Sequence, residues 1–78
     1  MGDGTKENPY TREDVLRLIK ENGGKAEGLD LSGKTFEDGI DLRGLDLKGI
    51  MLEESCLHFA HLERANLGWA SLEGAGPP

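Results

Sequence analysis

Residues 40–74 read IDLRG LDLKG IMLEE SCLHF AHLER ANLGW ASLEG, a run of five-residue units with leucine at the centre of each. The leucines are Leu42, Leu47, Leu52, Leu57, Leu62, Leu67 and Leu72. Upstream, LDLSG (29–33) and KTFED (34–38) carry the series back to Leu31 and Phe36, and Gly39 lengthens the Phe36–Leu42 step to six. A period of five fits neither the 3.6 of an α-helix nor the 2 of a flat strand. The first and third residues of a unit point to one side of a short extended leg. The last two, commonly glycine or polar, are suited to turning the chain. Such a unit cannot bury its apolar face alone. Repetition at fixed length therefore predicts an all-β solenoid in which each leg pairs with the leg one coil on.

The motif AHLER-ANLGW-ASLEG resembles the A-(D/N)-L-x-x signature of pentapeptide-repeat proteins, and LDLSG, IDLRG and LDLKG are similar with a bulkier first residue. The resemblance covers about Leu29–Gly74. It implies a right-handed quadrilateral β-helix with four units per coil, here about two coils. A leucine-rich repeat is the rival reading of GLDLSG, but that fold needs a period of about 20–29 residues. Four units per coil would stack Leu31–Leu52–Leu72, Phe36–Leu57, Leu42–Leu62 and Leu47–Leu67 inside. It would also set Asp41 below His61, Asp46 below Asn66 and Arg43 below Glu63, the last as an ion pair. Lys34 falls at an inward position, where an unpaired ammonium costs several kcal/mol. It is expected to turn outward, with Gly39 absorbing a local bulge.

Ahead of the repeats, residues 1–9 read as a loose polar lead-in. Thr11 and Asp14 form a capping-box-like pair, with Tyr10 and Val15 at the staple positions. Val15, Leu18 and Ile19 share one face, and Asn22-Gly23-Gly24 stops the element, which predicts a helix over about 12–22. The expected organisation is lead-in, capping helix and connector over 1–28, repeats over 29–75 and a tail over 76–78. The helix is expected to cap the first coil, because an open solenoid end exposes apolar side chains and unpaired backbone. No matching cap follows the repeats. Pro77 and Pro78 are read as blocking continuation of the ladder.

The formal charge of −6 excludes general affinity for nucleic acid or anionic membranes, which needs clustered cations. The acidity sits in residues 28–78, with nine carboxylates against Lys34, Arg43, Lys48 and Arg64. One cysteine, Cys56, precludes an intrachain disulfide, and no apolar leader or membrane-length run is present. The expected location is the cytoplasm. Cys56, His58 and His61 form C-x-H-x-x-H, but zinc sites take three or four convergent ligands and alternate residues diverge. No catalytic residue, cofactor or metal is assigned, and an enzyme is not expected. Met51, Phe59 and Trp69 fall at outward positions and Leu72 at the uncapped end, the candidate partner or dimer contacts. The expected function is a non-enzymatic module for protein–protein interaction or self-assembly, including an end-to-end dimer through the C-terminal end. The resemblance implies an alternative, since some pentapeptide-repeat proteins mimic duplex DNA in shape and charge and bind DNA gyrase.

Overall fold

A computed structural model describes residues 2–76. Its one regular element among these residues is α1, Arg12–Glu21. Thr11 accepts from the Asp14 N–H while the Asp14 carboxylate takes the Thr11 N–H at 2.9 Å, a complete capping box. Asn22 closes the other end, its N–H reaching the Leu18 and Ile19 carbonyls. Ten residues are marginal as an isolated helix in water, so packing must hold this one. Val15 is buried, and Leu18 and Ile19 rest on the core.

The expectation of an all-β solenoid, a right-handed quadrilateral β-helix of about two coils, is corrected by the structure. Among the described residues there is no strand and no sheet. Backbone pairing is confined to isolated parallel bridges: Tyr10 with Phe36, Asp30 with Met51, Thr35 with Cys56, Asp41 with His61, Asp46 with Asn66, and Met51 with Ser71. The reason lies in the length of the unit. The carbonyl of the third residue accepts from the first N–H of the next unit, as in Ile50 to Leu47 at 3.1 Å and Ala65 to Leu62 at 3.0 Å, except that Ile40 donates to Glu37 in place of Phe36. These are β-turns, which leaves too few extended residues per unit to propagate a ladder beyond one bridge.

The turns have one signature. Their third residue takes a positive φ: 72° at Gly33, 73° at Gly39, 71° at Gly44, 77° at Gly49, and 59–62° at Glu54, Phe59, Arg64 and Trp69. A positive φ at this place and not at the second residue is the type II pattern. It explains the glycines, and it shows that Gly39 is not the extra residue. Gly39 stands at the ordinary turn position, with its N–H on the His58 carbonyl just as Gly44 donates to Glu63. The additional residue is taken up as Glu37, which follows buried Phe36 and opens the turn in its place, and its N–H donates to the Tyr10 carbonyl at 3.0 Å.

The acidic second residues also have a local role. Asp30, Asp41, Asp46 and Asn66 each accept the N–H two residues on, at 3.0–3.2 Å. This Asx geometry fixes the entry to the turn and accounts for Asp or Asn there. Hydrogen bonds from the Arg43 side chain, then its N–H, hold the Asp41 carboxyl well below the usual carboxylate range. Arg43 is thus committed to Asp41 at 2.8 and 3.0 Å, in place of the expected ion pair with Glu63.

The core comprises Leu31, Phe36, Ile40, Leu42, Leu47, Ile50, Leu52, Leu57 and Ala60, joined by Tyr10, Val15 and Ala26. Burying each of the large side chains contributes about 1.5–3 kcal/mol. The lead-in is not loose. The Thr35 N–H donates to Gly4 and the Tyr10 N–H to Thr35, so residues 4–10 pair along the outer edge of residues 35–37. Gly4 is required there: its φ is 81°, and a Cβ would come within 2.8 Å of the Tyr10 ring and the Lys34 stem. That contact also shows how Lys34 is accommodated. It is half-buried, its stem lying against Gly4 in place of turning fully outward. Ser55, at the same place one pass later, is buried and donates to the Leu52 carbonyl at 2.8 Å.

Candidate functional site

The chain passes over itself after 20 or 21 residues, as the bridges from Asp41 to His61 and from Thr35 to Cys56 record. One end of this arrangement is sealed. There α1 lies on the core, the lead-in pairs with residues 35–37, and Arg12 donates to the Asp41 carbonyl at 2.8 Å. The other end, made by residues 58–74, is open. Leu62 and Leu67 are half-buried and Leu72 is 39% exposed, whereas Leu42, Leu47 and Leu52 are at most 2% exposed. Ala65 and Ala70 lie beside the open leucines, both half-buried.

The backbone repeats the asymmetry. Away from the open end the N–H groups of Leu42, Leu47 and Leu52 donate to His61, Asn66 and Ser71, and the carbonyls of Ile40, Leu45 and Ile50 accept from the same three residues. One period later the N–H groups of Leu62, Leu67 and Leu72 and the carbonyls of Ala60, Ala65 and Ala70 have no such partner among the described residues. The open end therefore joins an apolar centre to an edge of unpaired donors and acceptors, a surface suited to another polypeptide edge.

The candidate contact residues do not form one patch. Leu72 belongs to the open end. Phe59 (71% exposed) and Trp69 (87% exposed) stand at turns half a period apart, so their rings occupy opposite sides. Both sit at left-handed positions that the first pass fills with glycine, a conformation costing an L-residue about 1–2 kcal/mol. Met51 is half-buried in the column between Asp30 and Ser71 and presents little free surface. Leu62 and Leu67, expected as inward stack residues, are half-buried at the open end, and the edge itself was not expected as a contact. The signal for them was present in the alanines that replace Ile40 and Leu45 one period later.

No group of three His, Cys, Asp or Glu side chains is placed to hold a metal ion among the described residues. His61 instead faces Glu63 at 3.6 Å, and the His58 ring lies 6.5 Å from that of Phe59. The surface depressions are open grooves. One is lined by Ser32, Glu53, Glu54 and Glu73, another by Arg43, Glu63 and Arg64. They give the sides of the molecule alternating charge. Among the described residues no helix is long and apolar enough to cross a membrane. Pro77 and Pro78, read above as blocking the ladder, lie outside the described residues. Comparison with protein-family models, curated proteins and solved structures finds no match for this chain.

Proposed function

We propose that this chain is a non-enzymatic protein-interaction module that associates with a second copy of itself through its open end. The observation that carries this reading is the contrast between the two ends. One is closed by α1, the lead-in and Arg12, and the other combines half-exposed Leu62, Leu67 and Leu72 with unpaired backbone. Because α1 covers the apolar centre of the sealed end and the lead-in pairs with residues 35–37, head-to-tail stacking is disfavoured. The remaining arrangement is tail-to-tail, an isologous contact that closes as a dimer. The edge holds donors and acceptors together, so an identical edge complements it. Its charged side chains, Glu63, Arg64 and Glu73, include both signs.

Mimicry of duplex DNA draws less support, because Arg43 is paired with Asp41 and Arg64 stands among the carboxylates of the repeat segment. Inhibition of gyrase supercoiling by the isolated protein would favour it. The direct test of self-association is light scattering coupled to size exclusion over a wide concentration range. A mass of two chains that falls to one on dilution is expected, and one chain at millimolar protein sinks the reading.

A further inference from the structure

The open edge has a property that fixes how two copies meet. Beside its apolar centre lie the unpaired N–H groups of Leu62, Leu67 and Leu72 and the unpaired carbonyls of Ala60, Ala65 and Ala70, while the turn N–H groups of Arg64 and Trp69 also lack the partners that Gly44 and Gly49 have. Reversing this edge about Asn66 sets each of the three leucine N–H groups opposite one of the three alanine carbonyls of an identical edge. Leu62 meets the partner's Ala70, Leu67 the partner's Ala65, and Leu72 the partner's Ala60. The same reversal matches turn with turn, the Glu63–Arg64 corner on the partner's Gly68–Trp69 and the His58–Phe59 corner on the partner's Glu73–Gly74.

Resting on the self-association reading above, we propose that two copies pair antiparallel across this edge with the twofold axis at Asn66. Three donors per copy are then satisfied. Sliding the pairing by one five-residue unit in either direction satisfies only two and leaves a full unit of each edge without a partner. An unmade bond at a buried group costs about 1–3 kcal/mol, so the centred register wins. Charge agrees with it. Glu63 faces the partner's Trp69 and Glu73 the partner's Phe59, and no like charges stand opposite each other. The two exposed rings and the open leucines become parts of one interface although they lie apart on the single chain. Gly68 has no side chain and leaves space for the partner's Arg64 beside the Trp69 ring, a position suited to a cation–π contact.

Asn66 makes the register testable. Its own N–H and carbonyl are engaged within the chain, to Leu45 and Leu47, so the two Asn66 residues would form a non-hydrogen-bonded antiparallel pair. Such pairs hold Cα atoms about 4.5 Å apart, within disulfide reach. The structure already accommodates cysteine at this place in a unit, as Cys56. The experiment takes the full chain carrying Cys56→Ser and adds Asn66→Cys or, separately, His61→Cys, with mild oxidation and nonreducing electrophoresis. The same samples are weighed by light scattering under reduction. The centred register predicts that Asn66→Cys goes from trace to majority cross-linked dimer, while His61→Cys, which faces the partner's Ser71, stays uncross-linked. A reducible dimer by mass with no cross-link at Asn66→Cys, or with equal cross-linking at both sites, overturns the register and leaves self-association standing. A monomer by mass with no cross-link overturns both.

Discussion

Residues 29–49 and 50–74 write the same five-residue motif twice, under different conditions. In the first pass the turns fall on glycine, the first residues are Leu29, Ile40 and Leu45, and the central side chains are sealed beneath α1. In the second pass four turns carry Glu54, Phe59, Arg64 and Trp69 in the left-handed region, alanine lines the interior from residue 60, and the central leucines emerge partly exposed from Leu62 onward. The motif alone therefore does not set how much a position contributes. Cover does, and only the first pass has it on both sides. The second pass bears both backbone strain and exposed apolar surface, the combination expected of a surface kept for contact.

The sharpest way to break this comparison is to remove equivalent leucines. Leu47→Ala empties a site 1% exposed and is expected to cost about 3 kcal/mol, within the range for buried Leu→Ala changes. Leu67→Ala, one period later and half-buried, is expected to cost about 1 kcal/mol in the monomer, because part of its side chain is already exposed. Urea denaturation at low protein concentration reads both. Equal losses would mean that the open end is covered in solution even in the single chain.

A smaller effect is expected at the cover itself. Asp14 is buried and accepts from the N–H groups of Thr11 and Gly2, and from Arg17 at 3.3 Å. The Thr11 N–H, foremost, holds its carboxyl below the ordinary value of 3.8. A depressed folded pKa means that Asp14 stabilises the protein fully above its unfolded pKa, and that this contribution fades as pH falls toward the folded one. Asp14→Asn is expected to cost about 1 kcal/mol at pH 7, in line with lost caps, and less as pH drops below about 4. Thermal unfolding of the two proteins at pH 7 and pH 3 tests the sign. A gap that widens in acid would contradict the role given to the carboxylate.

How far the sequence carried depends on how local each cause was. The capping box of Thr11 and Asp14, the positions of the buried leucines and the columns Asp41–His61 and Asp46–Asn66 were legible, because each follows from spacing within a few residues or from one period. The fold class was not. A period of five announces stacked legs but hides that a turn takes up so much of every unit that only isolated bridges remain. The Gly39 step was misread because counting shows that one residue is extra without saying which. The turn φ assigns the ordinary place to Gly39 and the insertion to Glu37. Arg43 followed its nearest carboxylate, two residues away, over a distant one, and the lead-in docked through backbone bonds that polar composition does not reveal. The open end was half legible: the missing cap was visible, whereas its edge of donors and acceptors depends on which backbone groups pair one period away.

The subtlest prediction concerns the turns. If the second pass bears strain that the first avoids, exchanging the residue types should move stability in opposite directions. Gly44→Ala meets no atom within 4 Å, so its cost is conformational alone, about 1 kcal/mol for a left-handed L-residue. Glu54→Gly is the reverse change. It relieves the same strain and loses part of the gain, about 0.5–1 kcal/mol, to the greater freedom of glycine in the unfolded chain. A net stabilisation of about 0.5 kcal/mol is expected, read as a higher urea midpoint at unchanged slope. Glu54 suits this test better than Arg64 or Trp69 because its N–H is already paired with Glu73 and it stands off the open edge. Its gain should therefore be independent of protein concentration. A loss on Glu54→Gly would show that the glutamate side chain itself stabilises the turn, and that the second pass departs from glycine for stability and not for what its turns present.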